Sequence, residues 1–288
     1  MKTSASIRKG VSKSYAKAVS RAKPGHGGCC GPAVSEQKGV VVKLGGYSKM
    51  ELKSLPEDAV VNSFGCGNPV AMMGVKKGQT VLDLGSGAGI DLLLAAKKVG
   101  AKGKVIGIDM TDEMIAKAKK NVRAAGLKNV AVRKGIIEKM PVESGSVDWV
   151  ISNCVINLSP EKERVFKEIA RVLRPGGEML VSDIVAQRMP ARLKDDERLY
   201  ASCIAGAISE KKYLAGLKAA GLEKVEVRDR LVYDADQLEA FFISEIPGDD
   251  GGCCGGACGC GVAADDLRPV ARKMVGQIWS VKVYAKKP

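Results

Sequence analysis

An α/β fold on a parallel, doubly wound sheet is predicted by three observations. Short runs rich in Val, Ile and Leu alternate with longer amphipathic stretches between about residues 48 and 185, the pattern expected of strands and helices that share one sheet. The first run, TVLDL, leads directly into the glycine-rich turn GSGAG. The second, KVIGID, ends on an acid. Strand, glycine turn, helix and acid in this register describe a nucleotide-type cofactor site at the carboxyl ends of the strands.

The first 23 residues, including SYAKAVSRA, can form a basic helix, and KPGHGGCCGP then breaks regular structure with glycine and proline. Helical character resumes through MELKSLPEDAV and lapses at NSFGCGNPVAMMG before the first strand. After the glycine turn comes an apolar helix around DLLLAAKKVG. The next helix, DEMIAKAKKNVRAAG, places Ile115, Ala118, Val122 and Ala125 on one face, with Thr111 or Asp112 as its cap and Gly126 as its stop. Strands are expected at NVAVRKG, VDWVISNCV and GEMLVSDIV, with the helix EKERVFKEIARVL between the last two. Past Val185 the alternation ends. RLKDDERLYASCIAGAIS is expected as a helical insertion, and EKVEVRDRLVY and QIWSVKVYAKK as two further strands. The expected organisation is a basic N-terminal arm with a cysteine-containing loop (1–47), a cofactor-binding core (48–185), and capping helices with C-terminal strands (186–288) that include a cysteine-rich loop at 249–261.

Of 288 residues, 46 are basic and 32 acidic, a net charge of +14. Such an excess raises nucleic acid or an anionic surface as a partner. Seven of the basic residues lie between Lys2 and Lys23 with no acid before Glu36, so half the excess belongs to one arm. Aromatic residues make up only 4% of the chain, too few for a base-stacking platform, and no nucleic-acid partner is expected. No apolar run approaches the roughly 20 residues that span a bilayer, and the basic N-terminus is not followed by the apolar core of a secretory signal. A cytoplasmic, monomeric protein with no membrane partner is therefore expected. Its nine cysteines, an odd number, are read as reactive or metal-binding thiols rather than a disulfide framework.

In VLDLGSGAGID the glycines permit a tight turn and close backbone approach to a ligand, and Asp109, 20 residues beyond Gly89, can bind ribose hydroxyls. A dinucleotide would set its pyrophosphate over this turn, where the adjacent carboxylate of Asp83 would repel it. This disfavours a dehydrogenase. S-adenosylmethionine has no phosphate and brings an ammonium and a sulfonium. DLGSGAGID followed by IGIDM resembles the first two motifs of the Rossmann-like S-adenosylmethionine-dependent methyltransferases. In the fourth strand, SNCVINLSP lacks the Asn/Asp-Pro-Pro-aromatic turn of amine and amide methylation, and the chain has no Pro-Cys pair of cytosine methylation.

Cys66 lies between glycines in GCG, Cys154 ends a strand at the cofactor edge of the sheet, and Cys203 is expected on the inserted helix most able to cover that edge. Singly, each reads as a small core hydrophobe. As a set they read as a soft, three-coordinate site. FGCGNP, SNCVINLSP and YASCIAGAIS, in this order around DLGSGAGID, resemble the arsenite methyltransferases over nearly the whole chain, as do YAKAV, CCGP and GIIEKMP. The resemblance implies arsenic(III) held by the thiolates of Cys66, Cys154 and Cys203 and methylated by S-adenosylmethionine. It implies a redox cycle in which Cys29 or Cys30 pairs with Cys66, with an external reductant such as thioredoxin or glutathione. It assigns Asp83, Gly85, Ser86 and Gly87 to the methionine end of the cofactor, Asp109 to the ribose, and Met110, Ile137 and Glu138 to the adenine. Asn153 is expected to approach the methionine moiety.

The lone histidine, His26, is expected to stand outside any proton transfer, because a nucleophilic lone pair on arsenic carries no proton to remove. CCGGACGC near the C-terminus departs from the family. Its adjacent cysteines make a poor zinc knuckle, and Cys253, Cys254, Cys258 and Cys260 are expected to form a flexible arm that captures a soft ion. Two competing readings are a metalloid-binding protein without catalysis and a methyltransferase of another small acceptor, whose activity would survive loss of Cys154 and Cys203.

Overall fold

The computed structural model describes residues 3–21, 46–63, 65, 67–189, 200, 203–239 and 268–288. His26, Cys29, Cys30, Cys66 and the cysteine-rich loop at 249–261 lie outside the described residues. Seven strands, β1 (Thr80–Leu84), β2 (Lys104–Asp109), β3 (Val130–Lys134), β4 (Val147–Asn153), β5 (Leu173–Ala186), β6 (Glu223–Val232) and β7 (Ile278–Lys286), form one sheet in the order β3-β2-β1-β4-β5-β7-β6. The first five pair in parallel. Strand β7 runs antiparallel to both β5 and β6.

Period-two burial explains the layers. Leu82 and Leu84 of β1 face one apolar layer, while Val81 faces the other. Helix α5 (Ile90–Val99) supplies Leu92, Leu93 and Ala96 to the second layer. Helix α7 (Lys162–Val172) supplies Val165, Phe166, Ile169 and Val172 to the first. For this numbering, α1 is Ser4–Arg21, α2 Lys49–Lys53, α3 Glu57–Val61, α4 Pro69–Met72, α6 Asp112–Ala124, α8 Glu210–Ala219 and α9 Arg268–Lys273. The third helix of the sequence reading, α6, begins after Thr111 and ends before Gly126, whose φ of 67° stops it.

Two features depart from the sequence reading. The C-terminal strands belong to the main sheet: β7 pairs with β5 from Ala186↔Ile278 to Glu178↔Lys286, so the sheet is mixed rather than parallel throughout. An antiparallel return needs no crossover helix, so no alternation signal announces it. The basic N-terminal helix α1 is no detached arm either, because Val11 and Val19 are buried and it packs on α6. No described helix is long and apolar enough to cross a membrane.

Strands β2 and β3 extend to one side of β1, and β4 and β5 to the other. The strand order therefore reverses between β1 and β4, and a crevice opens beyond their carboxyl ends. Helix α8 closes the opposite region: the Phe166 and Tyr213 rings lie 5.1 Å apart, and a Cβ added at Gly216 would stand 2.5 Å from the Phe166 ring. Gly216→Ala is therefore expected to lower stability by about 1–3 kcal/mol through overpacking, despite the better helix propensity of Ala. Chemical denaturation checks this, and a stabilised variant would refute it.

Candidate functional site

The turn from Gly85 to Gly89 joins β1 to α5 at this crevice. Gly85 has φ 62°, and a Cβ there would meet Val155 at 2.4 Å, so both backbone sterics and the neighbouring strand end require glycine. The Ser86 N–H donates to Ile108 O (3.0 Å), and the Gly87 N–H donates to Asp109 Oδ2 (2.9 Å). Asp109 Oδ1 also accepts from the Thr111 N–H (2.8 Å). The turn is thus bolted to the end of β2.

A cleft lies against this turn, its empty space about 940 Å³ with the open solvent at its mouth included. All nine residues expected at the cofactor line it. Asp83, Gly85, Ser86, Gly87 and Asn153 stand on the β1–β4 side, and Asp109, Met110, Ile137 and Glu138 on the β2–β3 side. Residues that the sequence reading passed over join them: Asn62 and Asp91 on the floor side, and Arg8, Val11 and Tyr15 from α1.

The cleft is electrostatically unfavourable when it holds only protein. Burial, with Asp91 and Asp109 nearby, pushes the Asp83 carboxyl well above its ordinary range. Burial also pushes Asp91 up to about 6, against hydrogen bonds from Tyr47 and Asn153 that favour its charged form. Asp109 is raised by burial, opposed by the backbone N–H groups it accepts from. Asp83 Oδ2, Ser86 Oγ and Asn62 Oδ1 are buried without hydrogen-bond partners. Buried polar atoms are rarely left so. Clustered carboxylates and orphaned acceptors fit a ligand that carries positive charge and donors, as S-adenosylmethionine does, and suit a pyrophosphate poorly.

A hydrogen-bond clasp links this cleft to the thiols. Asn153 Nδ2 donates to Gly67 O (2.5 Å), Tyr47 Oη (3.0 Å) and Asp91 Oδ2 (3.1 Å), while its Oδ1 accepts from the Gly67 N–H (3.1 Å). Tyr47 Oη donates to Asp91 Oδ1 (2.8 Å). A Cβ on Gly65 would stand 2.2 Å from the Asn153 amide, and one on Gly67 would stand 2.4 Å from Ser182 Oγ. Both glycines of GCG are therefore packing requirements.

Cys154 follows Asn153 directly, and the Cys203 thiol donates to the Cys154 carbonyl. Both lie in the left-handed backbone region, at φ 58° and 64°. The two sequence-predicted thiol positions thus come together. Cys203 occupies a turn rather than the interior of a helix, its N–H reaching Tyr200 O (3.2 Å), because its positive φ cannot continue a right-handed helix. Cys154 is disulfide-bonded, whereas Cys203 carries a thiol. Among the described residues no cluster of three metal-ligating side chains occurs. Beside the thiols lies a group the sequence did not advertise: Lys162 Nζ donates to Asn157 O (3.1 Å) and Ser159 O (2.8 Å). Burial lowers it to about 8, against the charges of Asp183, Cys203 and Glu138.

The raised Asp83 carboxyl carries a signed consequence for stability. Its contribution is complete below the ordinary carboxyl value and is lost as pH rises through the raised folded-state value. Asp83→Asn is therefore expected to raise the Tm of the ligand-free protein at neutral pH and to flatten the dependence of that Tm on pH. A neutral-pH Tm below that of the wild type would overturn this account.

Comparison with known proteins places the chain. A family profile described as a methyltransferase domain matches residues 75–221. The arsenite methyltransferase of Halobacterium salinarum is 46% identical over 204 residues, covering 70% of this chain and 51% of that protein. That of Aquipseudomonas alcaligenes is 41% identical over 170 residues, covering 56% and 49%. The chain thus spans about half the length of these curated relatives. The crystal structure of an arsenic(III) S-adenosylmethionine methyltransferase from Chlamydomonas reinhardtii superposes with a TM-score of 0.62 at 30% identity, covering 83% of this chain and 72% of that one. With the strand order, the glycine turn and the acidic cleft in agreement, the chain belongs to the methyltransferase-domain family and, within it, to the arsenite S-adenosylmethionine methyltransferases.

Proposed function

We propose that this protein methylates trivalent arsenic with S-adenosylmethionine as donor. The observation that carries this reading is the Asn153 clasp, which sets the acidic cofactor cleft and the Cys154–Cys203 pair on adjoining sides of one side chain. Bound in the cleft, S-adenosylmethionine supplies a methyl carbon on a cationic sulfur.

Asp83 and Ser86 offer unpartnered acceptors to the ammonium end, with Gly85 and Gly87 giving backbone approach. Asp109, anchored by the Gly87 and Thr111 N–H groups, presents its carboxylate to the ribose. Met110 and Ile137 would hold the adenine, and Glu138 would supply an acceptor for its amino group. Asn153 would close the methionine end while it holds Gly67. The thiolates of Cys66, Cys154 and Cys203 hold arsenic(III), and soft sulfur ligands leave it a lone pair. No general base is needed, since the attacking atom bears no proton. Positioning therefore supplies most of the rate.

Cys154 is disulfide-bonded in this state, so it offers no thiolate until the bond is reduced. An external dithiol or glutathione-type reductant is assigned that role, with Cys29 or Cys30 exchanging with Cys66 during the cycle.

Transfer of labelled methyl from S-adenosylmethionine to arsenite in the presence of a thiol reductant tests the proposal. Cys203→Ser and Cys154→Ser are each expected to lower kcat/KM by about a hundredfold or more, as loss of a positioning ligand does. Full transfer to arsenite in the double variant would overturn the thiolate role given to the two cysteines. Arsenite binding without methyl transfer by the reduced wild type would identify a binding protein.

A further inference from the structure

Most of the cofactor cleft is walled by elements fixed in the sheet, but one wall is not. Helix α1 contributes Arg8, Val11 and Tyr15 to the cleft lining. Its place is outside the sheet, and side chains help to hold it there. Its Ile7, Val11 and Tyr15, spaced four apart, pack into the same apolar cluster as Cys154, Leu158 and Cys203. Ser12 Oγ stands 3.4 Å from Thr111 Oγ1.

One guanidinium bridges two acids beneath the helix. Arg8 Nη1 donates to Glu138 Oε1 (3.1 Å) and to Glu161 Oε2 (2.9 Å), joining a cleft-lining acid to one that does not line the cleft. The Glu138 side chain is only 4% exposed, and its Oε1 also accepts from Ser159 Oγ (2.7 Å). With Arg8 gone, two like charges would face each other with no cation between them, and Glu138 would lose a group that fixes its orientation. A helix packed outside the sheet opens locally at lower free energy than a strand hydrogen-bonded within it.

We propose that Arg8 is a positioning residue for the cofactor: by bridging Glu138 and Glu161 it latches α1 across the cleft and aims Glu138 inward, and opening this latch governs entry and release of the cofactor. The inference rests on the cofactor reading given above. Because α1 also covers the cluster around Cys154 and Cys203, the same movement uncovers the thiol side.

The test is stopped-flow measurement of S-adenosylhomocysteine release from the wild type, Arg8→Gln and Glu161→Gln, with Tm recorded for each. Both single variants are expected to release ligand about three- to tenfold faster, in line with loss of a partly exposed ion pair. KM for S-adenosylmethionine should rise in the single variants while kcat holds or increases, a split that general destabilisation would not produce. Glu161→Gln alters no cleft residue, which keeps the test sensitive even if Arg8→Gln folds poorly. Release at the wild-type rate in both single variants overturns the latch. Failure of the wild type to bind S-adenosylhomocysteine at all would overturn the cofactor reading instead.

Discussion

The side-chain amide of Asn153 is the joint on which the geometry of this molecule turns. It sits on the last residue of β4, where the strand order reverses, and spends its hydrogen-bonding capacity on three different elements. An amide suits this place because it offers donors and an acceptor in one plane without adding charge. An aspartate would put one more carboxylate among those already crowded there. The close approach of Gly65 and Gly67 follows from the same side chain and its neighbour Ser182. Two regions far apart in sequence thus share a single rigid contact, and disturbance of one is felt by the other.

The acidic cleft shows how a fold gives up stability for binding. Three carboxylates, Asp83, Asp91 and Asp109, are brought together with too few donors to satisfy them. Tyr47 and Asn153 relieve Asp91, and backbone N–H groups relieve Asp109. Asp83 keeps an oxygen without any partner. The residual imbalance is a preorganised field for a cation, already directed before the ligand arrives.

Much of this was legible in the sequence. Alternating apolar runs gave the parallel strands, and TVLDLGSGAG with KVIGID gave the cofactor turn and Asp109, because such features depend on residues close together in the chain. Cys203 does approach Cys154, through its thiol on the Cys154 carbonyl, and motif order rather than any local pattern set the two side by side in the sequence reading. Contacts that depend on tertiary approach were not legible. Tyr47 and Asp91 carry no distinguishing neighbours, although an acid in the first turn of the helix after GSGAG was a signal that could have been followed. Arg8 looked like one more charge in a basic segment. The position of β7 between β5 and β6 was hidden for the same reason, since nothing in QIWSVKVYAKK specifies its neighbours.

The left-handed backbone at Cys154 and Cys203 bears on how the protein could be remodelled. A side chain with a Cβ in that conformation is disfavoured by about 1–2 kcal/mol relative to glycine's freedom there. At both turns, therefore, conformational preference and sulfur chemistry pull toward different residues. A scaffold relieved of its chemistry would fold more comfortably with glycine at each place, and thermostabilisation guided by backbone geometry alone would begin by deleting the two sulfurs on which the proposed function rests.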